Sequence, residues 1–326
     1  MKVDAQSSAM FFQCGDKSYN AISRAIHTGL EGSIGVNFCG SVINCMGMSP
    51  ENVWNRPGSA ISRSSDDFVP EKPDGFAEHA MQNVYNSLWQ GLFYWNDWDM
   101  FWSEHADSWR NSMLRAVSGG PVYISDRLGQ SDIKWIWPLV WKDGALLRCD
   151  SKGVPTLDCL LVSPVSEGRL LKVFNQYCDT YLMAAFNLGE NDIQDFLRFS
   201  DFPQADGSYV VYDWCSRCLS LLKKDNPIPL HVAQGESKIY ILVPSGDGLT
   251  AIGLIDKYLS VAGITEKIVR DGSYTIFLRQ GGEFAFYCSK KPKAIKVDGR
   301  DVEPECKDGL YILKCDGDSP VVNVAL

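Results

Sequence analysis

The sequence predicts an α/β region over residues 1–146 followed by an all-β region over residues 147–326. Two observations carry this. In the first part, short apolar runs alternate with segments whose apolar residues recur at helical spacing, as parallel βα units require. Beyond it the chain becomes a string of short β-type runs broken by GD, DG and GG pairs, the pattern of an antiparallel sandwich or barrel. With 326 residues, 45% of them apolar, the chain is long enough for two domains with cores of their own.

The opening KVD has the character of a strand end, a lysine and a carboxylate followed by small polar residues, although only Met1, Lys2 and Val3 precede Asp4. The segment DKSYNAISRAIHTGL predicts an amphipathic helix with Tyr19, Ile22, Ile26 and Leu30 on one face and Asp16 as N-cap. GVNFCGSVINCMGM reads as extended, SPENVW as a short helical piece, and SAISRSSDDF as a strand running into a polar loop. DGFAEHAMQNVYNSLWQGL predicts a helix whose apolar stripe carries Phe76, Val84 and Leu88. After the aromatic stretch FYWNDWDMFW come a helix through HADSWRNSMLRAVS and then GGPVYISD, a buried strand ending in Asp126. The β runs of the second part are LLKVFN, TYLMAAFN, SYVVYDW, SKIYILVP, SYTIFLRQ, GEFAFYC, GLYILKC and VVNVAL.

Composition narrows the partners. A formal charge of −9 argues against nucleic-acid backbones and anionic membrane surfaces. No apolar run approaches a membrane span, and Asp4, Gln6 and two serines interrupt any signal-peptide core, so a soluble, cytoplasmic protein is expected. Eleven cysteines in a chain this long do not make a disulfide scaffold, and most sit in apolar runs as thiols. Cys215 and Cys218 form a single C-x-x-C pair, a weak zinc signature without a second pair or a nearby His, and no metal is assigned.

Polar constellations fall where the apolar runs of the first part stop: Asp4; Arg63 with Asp66 and Asp67; Asp97 and Asp99; Asp126. In a barrel of βα units the C-terminal strand ends build the active site, and two carboxylates flanking a sugar ring suffice for glycoside hydrolysis. Carboxylates on loops also serve as solvated caps, and the pattern alone leaves both readings open. The stretch LWQGLFYWNDWDMFW places four Trp around two Asp, and Trp98 between them is a candidate platform for the apolar face of a sugar.

KVDAQ, SRSSDDF, NDWDMF, SGGPVYISD and AIGLIDKY, in this order, resemble glycoside hydrolase family 36, in the branch that holds microbial α-galactosidases and plant raffinose synthases, the seed imbibition proteins. The resemblance implies the C-terminal half of a (β/α)8 barrel, from the end of strand four through strand eight, followed by an antiparallel β-sandwich. It implies that Asp4 is the nucleophile and Asp67, four residues after Arg63, the general acid/base, with Asp66 beside it as a substrate contact. Lys2, Arg63 and Asp99 would hold the sugar. The chemistry implied is that of a retaining α-galactosidase-like hydrolase acting on α-galactoside oligosaccharides, with no cofactor; a sugar acceptor in place of water would make it a raffinose-synthase-like galactosyltransferase.

In the family, four barrel strands precede KVD. Half a barrel leaves two open apolar strand edges, so this chain is expected to need the other half for activity. Three readings follow: a separately encoded N-terminal half chain, a longer protein whose start lies upstream, or an inactive remnant or carbohydrate-binding module.

Overall fold

A computed structural model describes residues 1–11, 15–203, 205–246 and 248–326. They form two compact units, one of Met1–Asp107, Ser118–Ser131 and Lys152–Val154, the other of Ser108–Val117, Asp132–Ser151 and Pro155–Leu326. The units interleave along the chain instead of meeting at a single boundary after residue 146. The helix at 108–117 groups with the β-rich part because its polar groups bond there: Ser112 donates to the Trp135 carbonyl at 2.6 Å and Asn175 to the Val117 carbonyl at 2.9 Å.

The first unit contains β1 (Lys2–Val3), α1 (Tyr19–Phe38), β2 (Ile43–Asn44), α2 (Pro50–Val53), β3 (Ile61–Arg63), α3 (Gly75–Gln90) and β4 (Trp95–Asp97); α4 (Ser108–Ser118) follows. The four strands form one parallel sheet in the order β1-β2-β3-β4, with Lys2 opposite Ile43, Asn44 opposite Ser62 and Arg63 opposite Asp97. Helices between parallel neighbours are the βα repeat read from the sequence. Every strand therefore ends on the same side, and the polar residues just past each end come together.

Several elements differ from expectation. Ser18, not Asp16, caps α1, its hydroxyl accepting the Ala21 N–H at 3.3 Å. The helix continues through Gly29, Gly32 and Gly35 to Phe38, so of the segment expected to be extended only Ile43–Asn44 is a strand. Its buried face is Ile22, Ser23, His27 and Ile34, while Ile26 is exposed. Polar bonds set this face: His27 Nε2 lies 2.7 Å from Asn52 Oδ1, and Ser23 donates to the Glu51 carbonyl at 3.0 Å. In α3 the buried stripe runs through Phe76, Ala80, Val84 and Ser87, leaving Leu88 exposed. The buried strand expected in GGPVYISD reduces to one parallel bridge between Phe101 and Ile124. Pro121 has no N–H to extend a ladder, and Gly120 passes so close to β4 that a Cβ there would lie 1.9 Å from the Asn96 carbonyl oxygen.

Strand pairings described in the second unit are antiparallel. One sheet runs Cys218–Leu222, Tyr209–Asp213, Ser237–Pro244, Thr180–Phe186, Leu171–Tyr177. A second contains Leu249–Leu254, Gly282–Cys288, Leu310–Cys315 and Glu305–Lys307, and a third contains Ile264–Arg270, Ser273–Leu278, Val321–Ala325 and Ala294–Val297. Tyr181, Met183, Val211 and Leu242 lie at the centre of its core. The C-x-x-C pair sits in a hairpin turn: the Asp213 carboxylate accepts the N–H groups of Cys215 and Ser216, and Arg217 takes φ 55°. Among the described residues no group of three or more His, Cys, Asp or Glu side chains could hold a metal ion, and no helix is long and apolar enough to cross a membrane.

A Cβ built at Gly29, Gly32 or Gly35 of α1 meets nothing within 4 Å. Glycine in a helix interior is about 0.5–1 kcal/mol less favourable than alanine. Gly32→Ala and Gly35→Ala should each raise the unfolding free energy measured in urea by that increment, and the double variant by the sum.

Candidate active site

The strand ends of the first unit converge on the carboxylate of Asp99. Its Oδ1 accepts Lys2 Nζ from β1 at 3.0 Å; its Oδ2 accepts the Phe68 N–H at 3.0 Å and lies 3.5 Å from Arg63 Nη1 of β3. Tyr123, on the segment after α4, places its hydroxyl 2.6 Å from Lys2 Nζ, 2.9 Å from Asp97 Oδ2 and 3.2 Å from Asp99 Oδ1. Asp99 itself has φ 59°, a left-handed backbone that a non-glycine residue adopts at a cost of about 1–3 kcal/mol unless its surroundings hold it there. The Asp97 carboxylate holds it, accepting the Asp99 N–H at 2.9 Å.

Electrostatics separate the carboxylates. Burial pushes Asp99 up, but the Phe68 N–H, Lys2 and Arg63 outweigh it and bring the carboxyl down to about 2. Asp97, fully buried, is pushed above the usual carboxylate range by desolvation, against the pull of Lys2 and Tyr123. Asp4, exposed just past β1, is held below that range chiefly by the Cys45 thiol and then by the Ala5 N–H, 2.7 Å from Oδ1. Burial, with the Asp4 carboxylate second, pushes the Cys45 thiol up to about 12, so it stays protonated and donates.

Arg63 is 3% exposed. Its Nη1 pairs with Asp67 Oδ1 at 2.7 Å and its Nε donates to the Ser65 carbonyl at 3.0 Å, while Nη2 is buried with no hydrogen-bond partner. The Ser65 hydroxyl is likewise buried and unbonded. Asp67 is exposed; Asp66 orders the turn before it, accepting the Asp67 N–H at 2.9 Å and donating its own N–H to Gln82 Oε1 at 2.6 Å.

Lys2, Asp4, Arg63, Asp67 and Asp99 thus lie at the ends of β1, β3 and β4 of the one parallel sheet and in the loops that follow, with Asp66 at the edge. Trp98 does not join them. It is fully buried and gives its indole N–H to Ser87 of α3 at 3.1 Å, so the expected sugar platform is a core residue. The reason is the reversal at Asp99: consecutive side chains point oppositely, and Asp97 and Asp99 take the site side. Asp126 is engaged by Ser103, whose N–H and hydroxyl bond its two oxygens at 2.7 and 2.6 Å. Sequence reasoning missed Tyr123, placed Cys45 near the pocket at best and gave Asp97 the support of its loop, where it accepts the Asp99 N–H; a tyrosine three residues before Asp126 and a cysteine just past a β-run were the available signals. Gln6, of the KVDAQ motif, supports the site from outside. It donates to Asn44 Oδ1 at 2.9 Å and to the Val3 carbonyl, and accepts from the buried Arg56, which also donates to the Gly47 carbonyl.

The family model described as "Raffinose synthase or seed imbibition protein Sip1" matches residues 1–203. The chain is 29% identical over 342 residues to a probable galactinol–sucrose galactosyltransferase 1 of Arabidopsis thaliana, covering 93% of this chain and 45% of that one. It is 30% identical to a galactinol–sucrose galactosyltransferase of Oryza sativa subsp. japonica, covering 77% and 38%. The chain therefore spans less than half the length of these curated relatives. Among solved structures, a GH27 β-L-arabinopyranosidase from Geobacillus stearothermophilus shares the fold with a TM-score of 0.54 at 14% identity, over 76% of this chain and 58% of that one.

The Asp99 carboxyl lies at about 2 in the folded protein, below the ~3.9 of an unfolded chain, so its contribution is present above about pH 4 and lost as pH falls through about 2. Asp99→Asn removes that contribution. The stability gap between the two proteins should narrow by about 2 kcal/mol between pH 4 and pH 2. Urea unfolding at stepped pH reads this directly, and a gap independent of pH would count against a charged Asp99.

Proposed function

The chain belongs to the raffinose synthase and seed imbibition protein family, and we propose that its site carries out retaining transfer of an α-galactosyl unit, to a sugar acceptor in preference to water. The names of its relatives favour this transferase reading over simple hydrolysis, the first reading from the sequence. The observation that carries it is the buried, half-satisfied guanidinium of Arg63 between Asp99 and Asp67. An unpaired buried donor costs about 1–3 kcal/mol, and a sugar hydroxyl at Nη2 would relieve it. Lys2 and Asp99 would hold further hydroxyls of the same ring.

Asp4 is the nucleophile in this reading. Its carboxyl is held low, as an ionised attacking group requires, and it is exposed to an incoming anomeric carbon. Asp67 is the acid/base. Protonated, it gives its proton to the leaving oxygen as Asp4 bonds the anomeric carbon; the resulting carboxylate then takes the proton of the acceptor hydroxyl that displaces Asp4.

The experiment is turnover of an aryl α-galactoside, with and without sucrose, by this chain alone and together with the part of its relatives that it does not cover. Asp4→Ala should abolish turnover in the active form, with partial rescue by azide. Asp67→Ala should impair substrates with poor leaving groups far more than aryl galactosides; equal losses for both classes would overturn its acid role. Cys45→Ala removes the largest influence holding Asp4 low, so the acidic limb of kcat/KM should move to higher pH while the plateau is retained; an unmoved limb would separate Cys45 from Asp4 ionisation.

A further inference from the structure

Beside the carboxylate cluster lies a cavity of about 290 Å³ lined by Asp66, Asp67, Lys72, Glu78, His79 and Gln82. Its lining includes Asp67 but none of Lys2, Asp4, Arg63 or Asp99, and Asp67 Oδ1 also lies 2.7 Å from Arg63 Nη1, so Asp67 is common to the cavity and the cluster. We propose that this cavity is the acceptor subsite, which receives the non-galactosyl half of the donor and then the neutral, polyhydroxylated acceptor that replaces it. The inference rests on the galactosyl-transfer reading above and extends it to specific residues.

The group that protonates a glycosidic oxygen must face what leaves, and the group that deprotonates an acceptor must face what arrives. A compartment sharing Asp67 as a wall meets both needs. Its chemistry suits hydroxyls: an ammonium and a carboxylate in an ion pair, Lys72 with Glu78, the Asp66 carboxylate, and the Gln82 amide. Gln82 Oε1 accepts the Asp66 N–H at 2.6 Å, which orients the amide and leaves its NH2 as a donor. The size is at the lower end of the roughly 300–1,000 Å³ of ligand clefts, consistent with one ring. The floor is shaped by a tight turn. The Lys72 N–H bonds the Val69 carbonyl at 3.1 Å and the Gly75 N–H bonds the Lys72 carbonyl at 2.9 Å. Position 75 admits only glycine, since a Cβ would lie 2.4 Å from the Val69 oxygen. α3 begins at that residue and carries Glu78, His79 and Gln82 on its first two turns. In the transfer step the acceptor O–H gives its proton to the Asp67 carboxylate as its oxygen bonds the anomeric carbon. The bond from that carbon to Asp4 breaks, returning the Asp4 carboxylate.

Two measurements test this. With an aryl α-galactoside as donor and sucrose as acceptor, the ratio of transfer product to hydrolysis product should fall about ten-fold in Lys72→Met, the usual size for one lost hydrogen bond to a charged group. An unchanged ratio would overturn the proposal. Independently of turnover, sucrose titrated into the chain should shift the side-chain amide resonance of Gln82, and Lys72→Met should weaken that shift. A Gln82 resonance that ignores saturating sucrose removes the subsite even if galactosides are turned over. A sucrose-dependent shift in a protein that turns over no galactoside would retain the subsite and discard the transfer reading.

Discussion

The Asp99 carboxylate is the interaction on which the candidate site depends. It takes an ammonium from β1, a guanidinium from β3, a backbone N–H from the loop after β3 and a hydroxyl from the segment after α4. A short parallel sheet has few ladder bonds of its own; β1 and β2 contribute two residues each. Charge-assisted bonds at the strand ends therefore do much of the work of fixing their spacing. The same bonds keep Lys2 and Arg63 from drifting into solvent, where neither could orient a ligand.

Three of the four strands end in a common way. Two residues past β1, β2 and β4 the backbone turns left-handed, at Ala5 (φ 56°), Met46 (φ 50°) and Asp99 (φ 59°). Each reversal halts the sheet abruptly and presents the neighbouring side chains, Asp4, Cys45, Asp97 and Asp99, to one another. Strain at these points is compensated by bonds made through the same residues, as with the Ala5 N–H on Asp4 and the Asp99 N–H on Asp97.

Much of the order of elements was legible in the sequence, because apolar periodicity and strand-ending carboxylates are local signals. Asp4, Arg63, Asp67 and Asp99 could be named from the resemblance and from their place at the ends of apolar runs. What could not be read depended on backbone hand or on partners distant in sequence. The rotation of α1 follows from His27 and Ser23 bonding to α2. The burial of Trp98 follows from the left-handed Asp99 beside it, and the part of Tyr123 from a loop that Gly120 allows to pass against β4. No propensity reports these.

The strand ends also differ in how freely they can vary. Where the backbone is left-handed, substitution is restricted by sterics as well as by chemistry, so the ends of β1, β2 and β4 form a constrained frame around Asp4, Cys45, Asp97 and Asp99. Among the described residues, the loop leaving β3 has no such position between Ser64 and Asp74. That loop is where the cavity beside Asp67 opens. The architecture thus partitions evolvability: the loop around Lys72 is free to diverge while the left-handed strand ends beside Asp4 and Asp99 stay constrained.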